Sequence, residues 1–393
     1  MQTIPLSSPD ITDFEKQKVM DVLNTPNLSM GPVLPEFEKA FAAYVGTKYA
    51  VAVNSGTSGL HLCVKALDIK DNDYVFTTPF SFIASANCLL FERAIPIFVD
   101  IDEKTFNIDV NKLEAAIIKA KNEDKSIKAI LPVHVFGRPC DMDAIKNLAD
   151  EFKLSIIEDA CEAVGAEYST KENGWKKTGA FGDCAVFAFY PNKQMTTGEG
   201  GMIVTDDENI YKLCRSMRNQ GRGEDHSTGS GHDSWLQHER LGYNYRLSNI
   251  NCALGLAQLQ RIEEMLDKRT KVAESYNEKL KEINEIILPQ KEDNKKISWF
   301  VYVIRLTDSY SQKDRDFVLD ELRKEGIGCS NYFTPIHLQP FYQNAFGYKY
   351  GDFPITERIS ERTIALPFFN NLSEAQIDVV AEALQNALNK IQK

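Results

Sequence analysis

The sequence predicts an α/β protein with a large domain built on a mainly parallel central sheet and a smaller C-terminal α+β domain. Two observations support this prediction. From about residue 49 to residue 205, short runs that are apolar throughout alternate with amphipathic helical patterns, as in a parallel sheet covered on both faces. The chain of 393 residues also exceeds the length at which one hydrophobic core keeps growing, so two packed units are expected.

The predicted secondary-structure elements follow from the spacing of apolar residues. Runs that are apolar on both faces are assigned to buried strands, and stretches with an apolar residue every three or four positions are assigned to helices. The large domain is predicted to contain opening helices at residues 11–23 and 35–45, strands at 49–53, 74–78, 96–101, 129–135, 154–158, 184–190 and 202–205, and intervening helices at 58–66, 83–91, 110–120 and 141–152.

The smaller domain is predicted to follow a long helical pattern at residues 247–282. A polar stretch rich in lysine and glutamate, residues 290–296, comes after this pattern and suits a hinge. We expect a large domain over residues 1–250, and over 251–393 the interdomain helix with the smaller domain. Strands are expected in that domain near 299–306 and 328–333, and helices near 314–325 and 373–391.

Composition argues against several classes of function. The net charge of −11 disfavours a general nucleic-acid or anionic-membrane binder, so a site for a phosphorylated ligand has to be built from local groups. No segment approaches the roughly 18 apolar residues of a membrane span, and the N-terminus has no basic region followed by an apolar core. We expect a cytoplasmic protein whose eight dispersed cysteines are buried thiols.

Two residues next to predicted strand ends suit the chemistry of an aldehyde-bearing, aromatic cofactor. Lys193 lies between two apolar runs and before a glycine-rich turn, where its amine could form a Schiff base. The alternative is an ordinary solvated lysine. Asp159 follows another apolar run, where its carboxylate could face a pyridine nitrogen. The alternative is a helix-capping or loop aspartate.

A third segment, residues 54–59, follows the first predicted strand and opens a helix. Its sequence Asn-Ser-Gly-Thr-Ser-Gly offers free backbone amides and the Thr57 and Ser58 hydroxyls, which could bind a phosphate group. An ordinary N-cap is the alternative. Together the three segments predict a pyridoxal phosphate site at the carboxyl ends of the strands.

Further motifs accompany these segments along nearly the whole chain. They are Gly31-Pro-Val, Phe37-Glu38, Asn54-Ser-Gly-Thr57, Phe82 with Asn87, Phe98-Val-Asp-Ile101, Pro132-Val-His134, Glu158-Asp-Ala160, Lys193 with Thr-Thr-Gly-Glu-Gly-Gly201, Gly242-Tyr-Asn-Tyr-Arg246, Ala253-Leu-Gly-Leu-Ala-Gln-Leu259, Gly326-Ile-Gly328, Pro335-Ile-His337 and Leu366-Pro367. In this order they resemble the DegT/DnrJ/EryC1/StrS family of nucleotide-sugar aminotransferases. The resemblance implies an aspartate-aminotransferase-like fold (fold type I) and pyridoxal 5'-phosphate (PLP) as the cofactor.

The resemblance also implies roles for the residues singled out above. Lys193 would hold the cofactor as an imine and would be catalytic together with Asp159, which would pair with the ring nitrogen. Gly56 and Thr57 would cradle the phosphate. Phe82 would stack on the ring.

Other matching positions would lie near the substrate or a neighbouring subunit. Asn244 would reach the phosphate from the partner subunit, with Arg246 assisting, so the resemblance implies a homodimer with shared active sites. Arg218, Arg222 and Arg246 would supply a positive patch for the substrate diphosphate, with solvated loop arginines as the alternative. His337 matches a position near the substrate mouth, and a structural histidine is the alternative.

The polar, glycine-rich loop over residues 219–233 suits a mobile flap over the substrate. It contains His226 and His232. We expect no metal there, because no third ligand accompanies the two histidines.

Two positions depart from the family pattern. Many relatives carry a phosphate-binding serine where this chain has Ala188, so one phosphate contact has to come from elsewhere. Glu162 occupies a place where relatives often carry glutamine or histidine near the ring hydroxyl of the cofactor. A carboxylate beside an ionised ring oxygen would repel it, so we expect Glu162 to be protonated or turned toward the substrate.

The implied reaction moves an amino group from glutamate to a nucleotide-linked keto-sugar, leaving 2-oxoglutarate, in the biosynthesis of a surface polysaccharide, glycan or antibiotic sugar. The glycine-rich turn and Glu162 favour a 4-keto-6-deoxy sugar and amination at carbon 4, with amination at carbon 3 as the alternative. A sugar dehydratase of the same family is a further alternative, but such enzymes replace the lysine with histidine. The sequence argues against a nicotinamide-dependent dehydrogenase, because the dinucleotide-binding motif G-x-G-x-x-G does not follow the first predicted strand.

Overall fold

The computed structural model describes residues 3–172, 174–223 and 237–391. The strands are β1 Tyr49–Val53, β2 Tyr74–Thr77, β3 Ile95–Phe98, β4 Ile127–Ile130, β5 Ser155–Asp159, β6 Glu167–Thr170, β7 Gly174–Lys177, β8 Cys184–Ala188, β9 Gly201–Thr205, β10 Ile286–Ile287, β11 Lys295–Lys296, β12 Tyr302–Leu306 and β13 Thr363–Leu366. The helices are α1 Asp13–Leu23, α2 Val33–Val45, α3 Gly56–Ala66, α4 Ala84–Leu90, α5 Val110–Asn122, α6 Met142–Phe152, α7 Glu208–Arg218, α8 Asn249–Gln260, α9 Ile262–Leu280, α10 Gln312–Lys324, α11 Pro340–Phe346, α12 Pro354–Ser360 and α13 Glu374–Asn389.

A seven-stranded sheet organises the first part of the chain, with the strand order β1-β9-β8-β5-β4-β2-β3. The pairs from β8 through β3 are parallel, whereas β9 runs antiparallel to both β1 and β8. The sheet is therefore mainly parallel, and the predicted fold class is confirmed. Parallel strands place their carboxyl ends at one edge, which is where such sheets bind ligands.

Both faces of this sheet are buried, which explains why its strands are apolar throughout. Along β8, Val186 packs into the core shared with α3, and Phe187 points to the opposite face. There the Phe187 ring meets Phe41 of α2 edge-on, with ring centroids 5.1 Å apart. Two separate cores thus clamp the central strands and fix the positions of their ends.

The C-terminal part contains the antiparallel sheet β10-β12-β13, which packs with α9, α10 and α13 around a core of its own. The strand predicted near 328–333 is wrong. Only Ser330 of that segment forms a bridge, to Ala365, and Asn331, Tyr332 and Phe333 line a cavity instead. The Gly328 N–H donates to the Ile4 carbonyl whereas Ser330 pairs with Ala365, so the segment changes partners within two residues and builds no ladder with either.

The long helical pattern over residues 247–282 forms two helices rather than one, because α8 ends at Gln260 and α9 begins at Ile262. The polar stretch 290–296 contains β11, which pairs with β6 in a small sheet completed by β7. Among the described residues no helix is long and apolar enough to cross a bilayer.

Candidate active site

A cavity of about 770 Å³ opens at the carboxyl ends of β5 and β8 and at the start of α3. It is bounded on another side by residues 331–334, including Tyr332, which lie between α10 and α11. The chemistry-bearing residues that the cavity brings together are Gly56, Thr57, Phe82, Asp159, Glu162 and Lys193. The two residues on which the sequence prediction depends, Lys193 and Asp159, therefore share one cavity.

The amine of Lys193 lies between the Glu162 carboxylate and the Phe300 ring. Nζ lies 3.5 Å from Oε1 of Glu162 and 3.8 Å from the centroid of the Phe300 ring. The Lys193 carbonyl accepts a hydrogen bond from the buried guanidinium of Arg269 at 3.1 Å. Only 13% of the lysine side chain is exposed. The amine therefore lies in the cavity. The alternative of an ordinary solvated lysine does not fit this position.

Asp159, the last residue of β5, is buried and has a defined donor on each carboxylate oxygen. The backbone N–H of Cys161 donates to Oδ1 at 3.1 Å, and the hydroxyl of Ser85 donates to Oδ2 at 2.7 Å. The strand end itself is tied down, because the Asp159 N–H donates to the carbonyl of Pro132. These contacts hold the carboxylate in one orientation at the cavity wall.

The start of α3 forms a recess lined by backbone. Ser55 caps the helix, its hydroxyl accepting from the Ser58 N–H at 3.1 Å, so the amides of Gly56 and Thr57 belong to the first turn and have no intrahelical acceptor. A Cβ on Gly201 would lie 2.8 Å from the Gly56 nitrogen, which shows how closely β9 approaches this turn. Such a recess suits a phosphate group.

Ser58 does not share this recess. Its side chain is buried, and its hydroxyl lies 2.9 Å from the Ser55 hydroxyl. It is absent from the described lining of the cavity. The prediction of a direct phosphate contact from the Ser58 hydroxyl therefore finds no support, because that group completes the helix cap.

Phe82 is 63% exposed although it is a large apolar residue, and it lies at the cavity. An aromatic face left open to a cavity suits stacking on a flat ligand.

Glu162 is buried, and burial raises the pKa of its carboxyl group above the ordinary value, while the nearby Lys193 amine opposes that rise. Its Oε2 accepts a hydrogen bond from the Phe136 N–H at 2.9 Å. The expectation that Glu162 takes up a proton more readily than an ordinary glutamate agrees with this direction.

Three further predicted residues, Asn244, Arg246 and Arg222, lie away from the described cavity lining. Asn244 is exposed, and its carbonyl accepts from the Asn54 side chain at 3.3 Å. Arg246 donates to Oδ1 of Asn219 at 3.0 Å. The backbone of Arg222 forms an isolated antiparallel β-bridge with that of His238.

His337 is fully buried, and its Nε2 lies 2.8 Å from Oε1 of Glu357. Burial lowers its pKa, with Glu357 acting in the opposite direction. Its chain neighbour Ile336 lines the cavity, but His337 does not. Of the two alternatives, a position near the substrate mouth and a structural histidine, this geometry favours the structural histidine.

Arg218 was also a candidate for the positive patch, and the structure corrects this prediction. Its guanidinium is buried, pairs with Glu38 and donates to the carbonyl of Ala52 at 2.7 Å. His226 and His232 lie outside the described residues. Within the described ranges no group of three metal-ligating side chains occurs.

Sequence reasoning missed several cavity residues. Phe300 and Tyr332 come from distant parts of the chain, and nothing in their local pattern distinguishes them from core aromatic residues. Ser81 and Ser85 flank Phe82 in the sequence, so their proximity to a predicted stacking residue was an available signal.

Comparison with known proteins agrees with this geometry. The model of the DegT/DnrJ/EryC1/StrS aminotransferase family matches residues 9–385. The chain is 38% identical over 98% of its length to the spore coat polysaccharide biosynthesis protein SpsC of Bacillus subtilis, covering 96% of that protein. It is also 38% identical to GDP-perosamine synthase of Caulobacter vibrioides, with 98% of each chain covered.

A solved structure extends the likeness to the whole fold. The putative sugar aminotransferase Spr1654 from Streptococcus pneumoniae, in its PMP form, superposes with a TM-score of 0.91 at 27% identity, covering 99% of this chain and 100% of that one. With a family model over nearly the whole chain and these relatives, the chain belongs to the DegT/DnrJ/EryC1/StrS aminotransferase family and is a PLP-dependent sugar aminotransferase.

Proposed function

We propose that the protein transfers the amino group of glutamate to carbon 4 of a nucleotide-linked 4-keto-6-deoxy sugar, using PLP bound in the cavity at the carboxyl ends of β5 and β8. The observation that carries this proposal is that one cavity presents the Lys193 amine, the Asp159 carboxylate and the first turn of α3. These are an amine for the aldehyde, an acid for the ring nitrogen and a recess for the phosphate.

The described residues fit PLP on their own geometry. Gly56 has no room for a side chain, because a Cβ there would lie 2.9 Å from the Sγ of Cys161 and from the Cβ of Ala188. At Gly56 the first turn of α3 therefore meets the cavity with backbone alone. Phe82 presents an open aromatic face, and the cavity volume of about 770 Å³ leaves room for both a cofactor and part of a substrate.

PLP, when bound, supplies an electron-withdrawing ring that makes a proton on the reacting carbon removable. Lys193 would accept that proton at Nζ and return it, because its amine lies in the cavity and no other cation is among its described contacts. Asp159 would hold the ring nitrogen of bound PLP in its protonated form. The same lysine serves the glutamate half-reaction and the sugar half-reaction.

Glu162 lies beside the lysine amine, so its charge state matters to the proton transfer. With its pKa raised by burial, it carries a proton over a wider pH range than an exposed glutamate. A protonated Glu162 donates a hydrogen bond to an oxygen of the cofactor or substrate instead of repelling it.

The names of the relatives support a nucleotide-linked sugar as the acceptor. GDP-perosamine synthase names a GDP-linked amino sugar as a product, and SpsC is named for the biosynthesis of a spore coat polysaccharide. For this chain we propose a nucleoside-diphosphate sugar destined for a surface polysaccharide. The Thr-Thr-Gly-Glu-Gly-Gly turn and Glu162 resemble the branch of the family that aminates carbon 4 more than the branch that acts at carbon 3, which supports carbon 4.

We further propose a homodimer in which Asn244 of one protomer reaches the phosphate recess of its partner, with Arg246 holding the segment. The exposure of Asn244 and the Arg246–Asn219 hydrogen bond support this. Mixing Lys193→Ala and Asn244→Ala chains tests it. Hybrid dimers should regain activity that neither variant dimer shows, whereas a simple sum of two inactive proteins would contradict a shared site.

The experiment for the reaction is a panel of nucleotide keto-sugars, with GDP-, UDP- and dTDP-linked members carrying the ketone at carbon 3 or carbon 4. We expect 2-oxoglutarate to accumulate beyond one equivalent per active site only with 4-keto members, because one equivalent forms from glutamate without any sugar. NMR of the product should place the new amine at carbon 4. Turnover with 3-keto sugars alone would move the amination to carbon 3. Loss of a sugar hydroxyl without consumption of glutamate would point to a dehydratase.

A further inference from the structure

A chain of two buried serines leads to Asp159, and it plays no part in the function proposed so far. The Ser85 hydroxyl lies 2.7 Å from Oδ2 of Asp159, and the Ser81 hydroxyl lies 2.8 Å from that of Ser85. Ser85 is 1% exposed and Ser81 is 5% exposed, yet both line the cavity. Their polar groups are therefore withdrawn from bulk water and directed toward one another.

The direction of the hydrogen bonds follows from the chemistry of the groups. Ser85 has one proton to donate, and its nearby acceptors are Oδ2 of Asp159 at 2.7 Å and the Phe82 carbonyl at 3.2 Å. The shorter bond goes to the carboxylate, which is also the stronger acceptor. Ser81 then donates to the oxygen of Ser85, so the chain runs from Ser81 through Ser85 to Asp159.

This arrangement restricts how the carboxylate can turn. Because the Cys161 N–H donates to Oδ1 and Ser85 donates to Oδ2, rotation of the carboxylate would break one charge-assisted bond or the other. Each oxygen retains a further lone pair for a ligand. Phe82 lies between the two serines in the sequence, so the residue expected to stack on the cofactor and the anchor of the carboxylate belong to one short segment.

We propose that Ser85 is a positioning residue that fixes the Asp159 carboxylate toward the ring nitrogen of the cofactor, and that Ser81 in turn fixes Ser85. This inference rests on the proposed function, since it presupposes that Asp159 meets the ring nitrogen. It assigns to the segment 81–85 the task of preorganising that single contact before any cofactor arrives.

The test uses pyridoxamine 5'-phosphate and its 1-deaza analogue, in which a CH group replaces the ring nitrogen. Neither compound bonds covalently to Lys193, so calorimetric dissociation constants report the noncovalent contacts alone. The ratio of the deaza constant to the pyridoxamine constant measures the preference for the ring nitrogen. In Ser85→Ala this ratio should fall about tenfold, since one buried charge-assisted hydrogen bond is lost. In Ser81→Ala it should fall by a smaller factor, about threefold.

Thr57→Ala is the matched control, because Thr57 lines the cavity in the first turn of α3, at the proposed phosphate recess, and both compounds carry the phosphate. It should weaken both ligands equally and leave the ratio unchanged. An unchanged ratio in Ser85→Ala, whether both affinities fall together or neither falls, would overturn the positioning role. A wild-type protein without any preference for the ring nitrogen would instead overturn the pairing of Asp159 with PLP, which belongs to the proposed function.

Discussion

Glu158 and Glu162 lie on either side of Asp159 and are both buried, but their surroundings differ. Glu158 is surrounded by donors: His134 contacts its Oε2 at 3.0 Å, and backbone amides donate to both of its oxygens. Glu162 has one backbone donor, from Phe136, and the Lys193 amine at 3.5 Å. One carboxylate is thus saturated within the fold, while the other faces a cavity with bonding capacity to spare.

The two environments shift the pKa values of the two carboxyl groups in opposite directions. Burial favours the protonated form of both, but hydrogen bonds from His134 and from the amides of Gly179 and Gly182 hold the pKa of Glu158 below its usual value. At Glu162 burial prevails and raises the pKa. A fully bonded buried charge secures the fold, and an incompletely bonded one remains available for chemistry.

The tautomer of His134 supports this view of Glu158. The backbone N–H of Cys140 donates to Nδ1 of His134 at 3.1 Å, so Nδ1 keeps its lone pair. The proton of the neutral ring is then on Nε2 and is donated to Glu158. Three amides, from Gly179, Phe181 and Gly182, complete the shell of the carboxylate.

The largest effect is expected on the reaction rate, at Lys193, whose amine lies beside Glu162. Lys193→Ala should slow the half-reaction with glutamate by about 10⁴-fold, because the base that moves the proton is removed. Stopped-flow absorbance of the PLP-loaded protein measures this rate. Lys16→Ala removes an exposed lysine and should leave the rate unchanged. A Lys193→Ala variant that retains a near-normal rate would contradict the catalytic role of Lys193.

The next largest effect is expected at Glu158 and concerns stability. Glu158→Gln should lower the free energy of unfolding by about 3 kcal/mol, because an amide nitrogen would face backbone N–H donors in a buried shell. Urea denaturation of the apoprotein measures it. Glu162→Gln is the matched control and should cost less, about 1 kcal/mol or under. Equal losses for the two variants would remove the distinction between the two glutamates.

A smaller effect is expected in the pH dependence of stability at Glu162. Because its pKa is raised in the folded protein, its favourable contribution is complete below the unfolded value of 4.5 and declines as pH rises toward the folded value. The unfolding free energy of the wild type minus that of Glu162→Gln should therefore fall above pH 4.5, by an amount on the order of 1 kcal/mol. Urea titrations of both apoproteins across the pH range measure this difference, and a difference that rises with pH would reverse the assignment.

The smallest effect on stability is expected at Phe82, whose ring is 63% exposed. Phe82→Ala should leave the free energy of unfolding within about 0.5 kcal/mol of the wild type, as for other surface substitutions. It should nevertheless weaken binding of pyridoxamine 5'-phosphate by about fivefold, since a stacking contact is lost. Calorimetry and urea denaturation separate the two. A destabilised variant with normal affinity would make Phe82 a core residue rather than a binding residue.

The sheet could be predicted well because its strands are buried on both faces. β1 has its predicted bounds, and β5 and β8 lie within two residues of theirs. The hairpin β6–β7 was not predicted, because β7 is largely exposed and polar and has no apolar periodicity. Its pairing depends on backbone hydrogen bonds to neighbours that local sequence does not specify.

The site could be predicted where residues follow strand ends, and could not where distant segments meet. Asp159 ends β5 and Lys193 follows the parallel neighbour β8, so the position of each residue after an apolar run carried the information. Phe300, which lies under the lysine amine, arrives from another part of the fold. His337 shows the limit of a family-like motif, which placed it near the substrate, whereas its burial and its hydrogen bond with Glu357 favour a structural role.

The Schiff base at Lys193 can be tested directly by incubating the purified protein with PLP, reducing it with borohydride and locating the phosphopyridoxyl group by peptide mass spectrometry. We expect a single modified residue, Lys193, and loss of the visible absorbance band. A label on another lysine, or a protein that stays colourless and unlabelled with PLP, would contradict it.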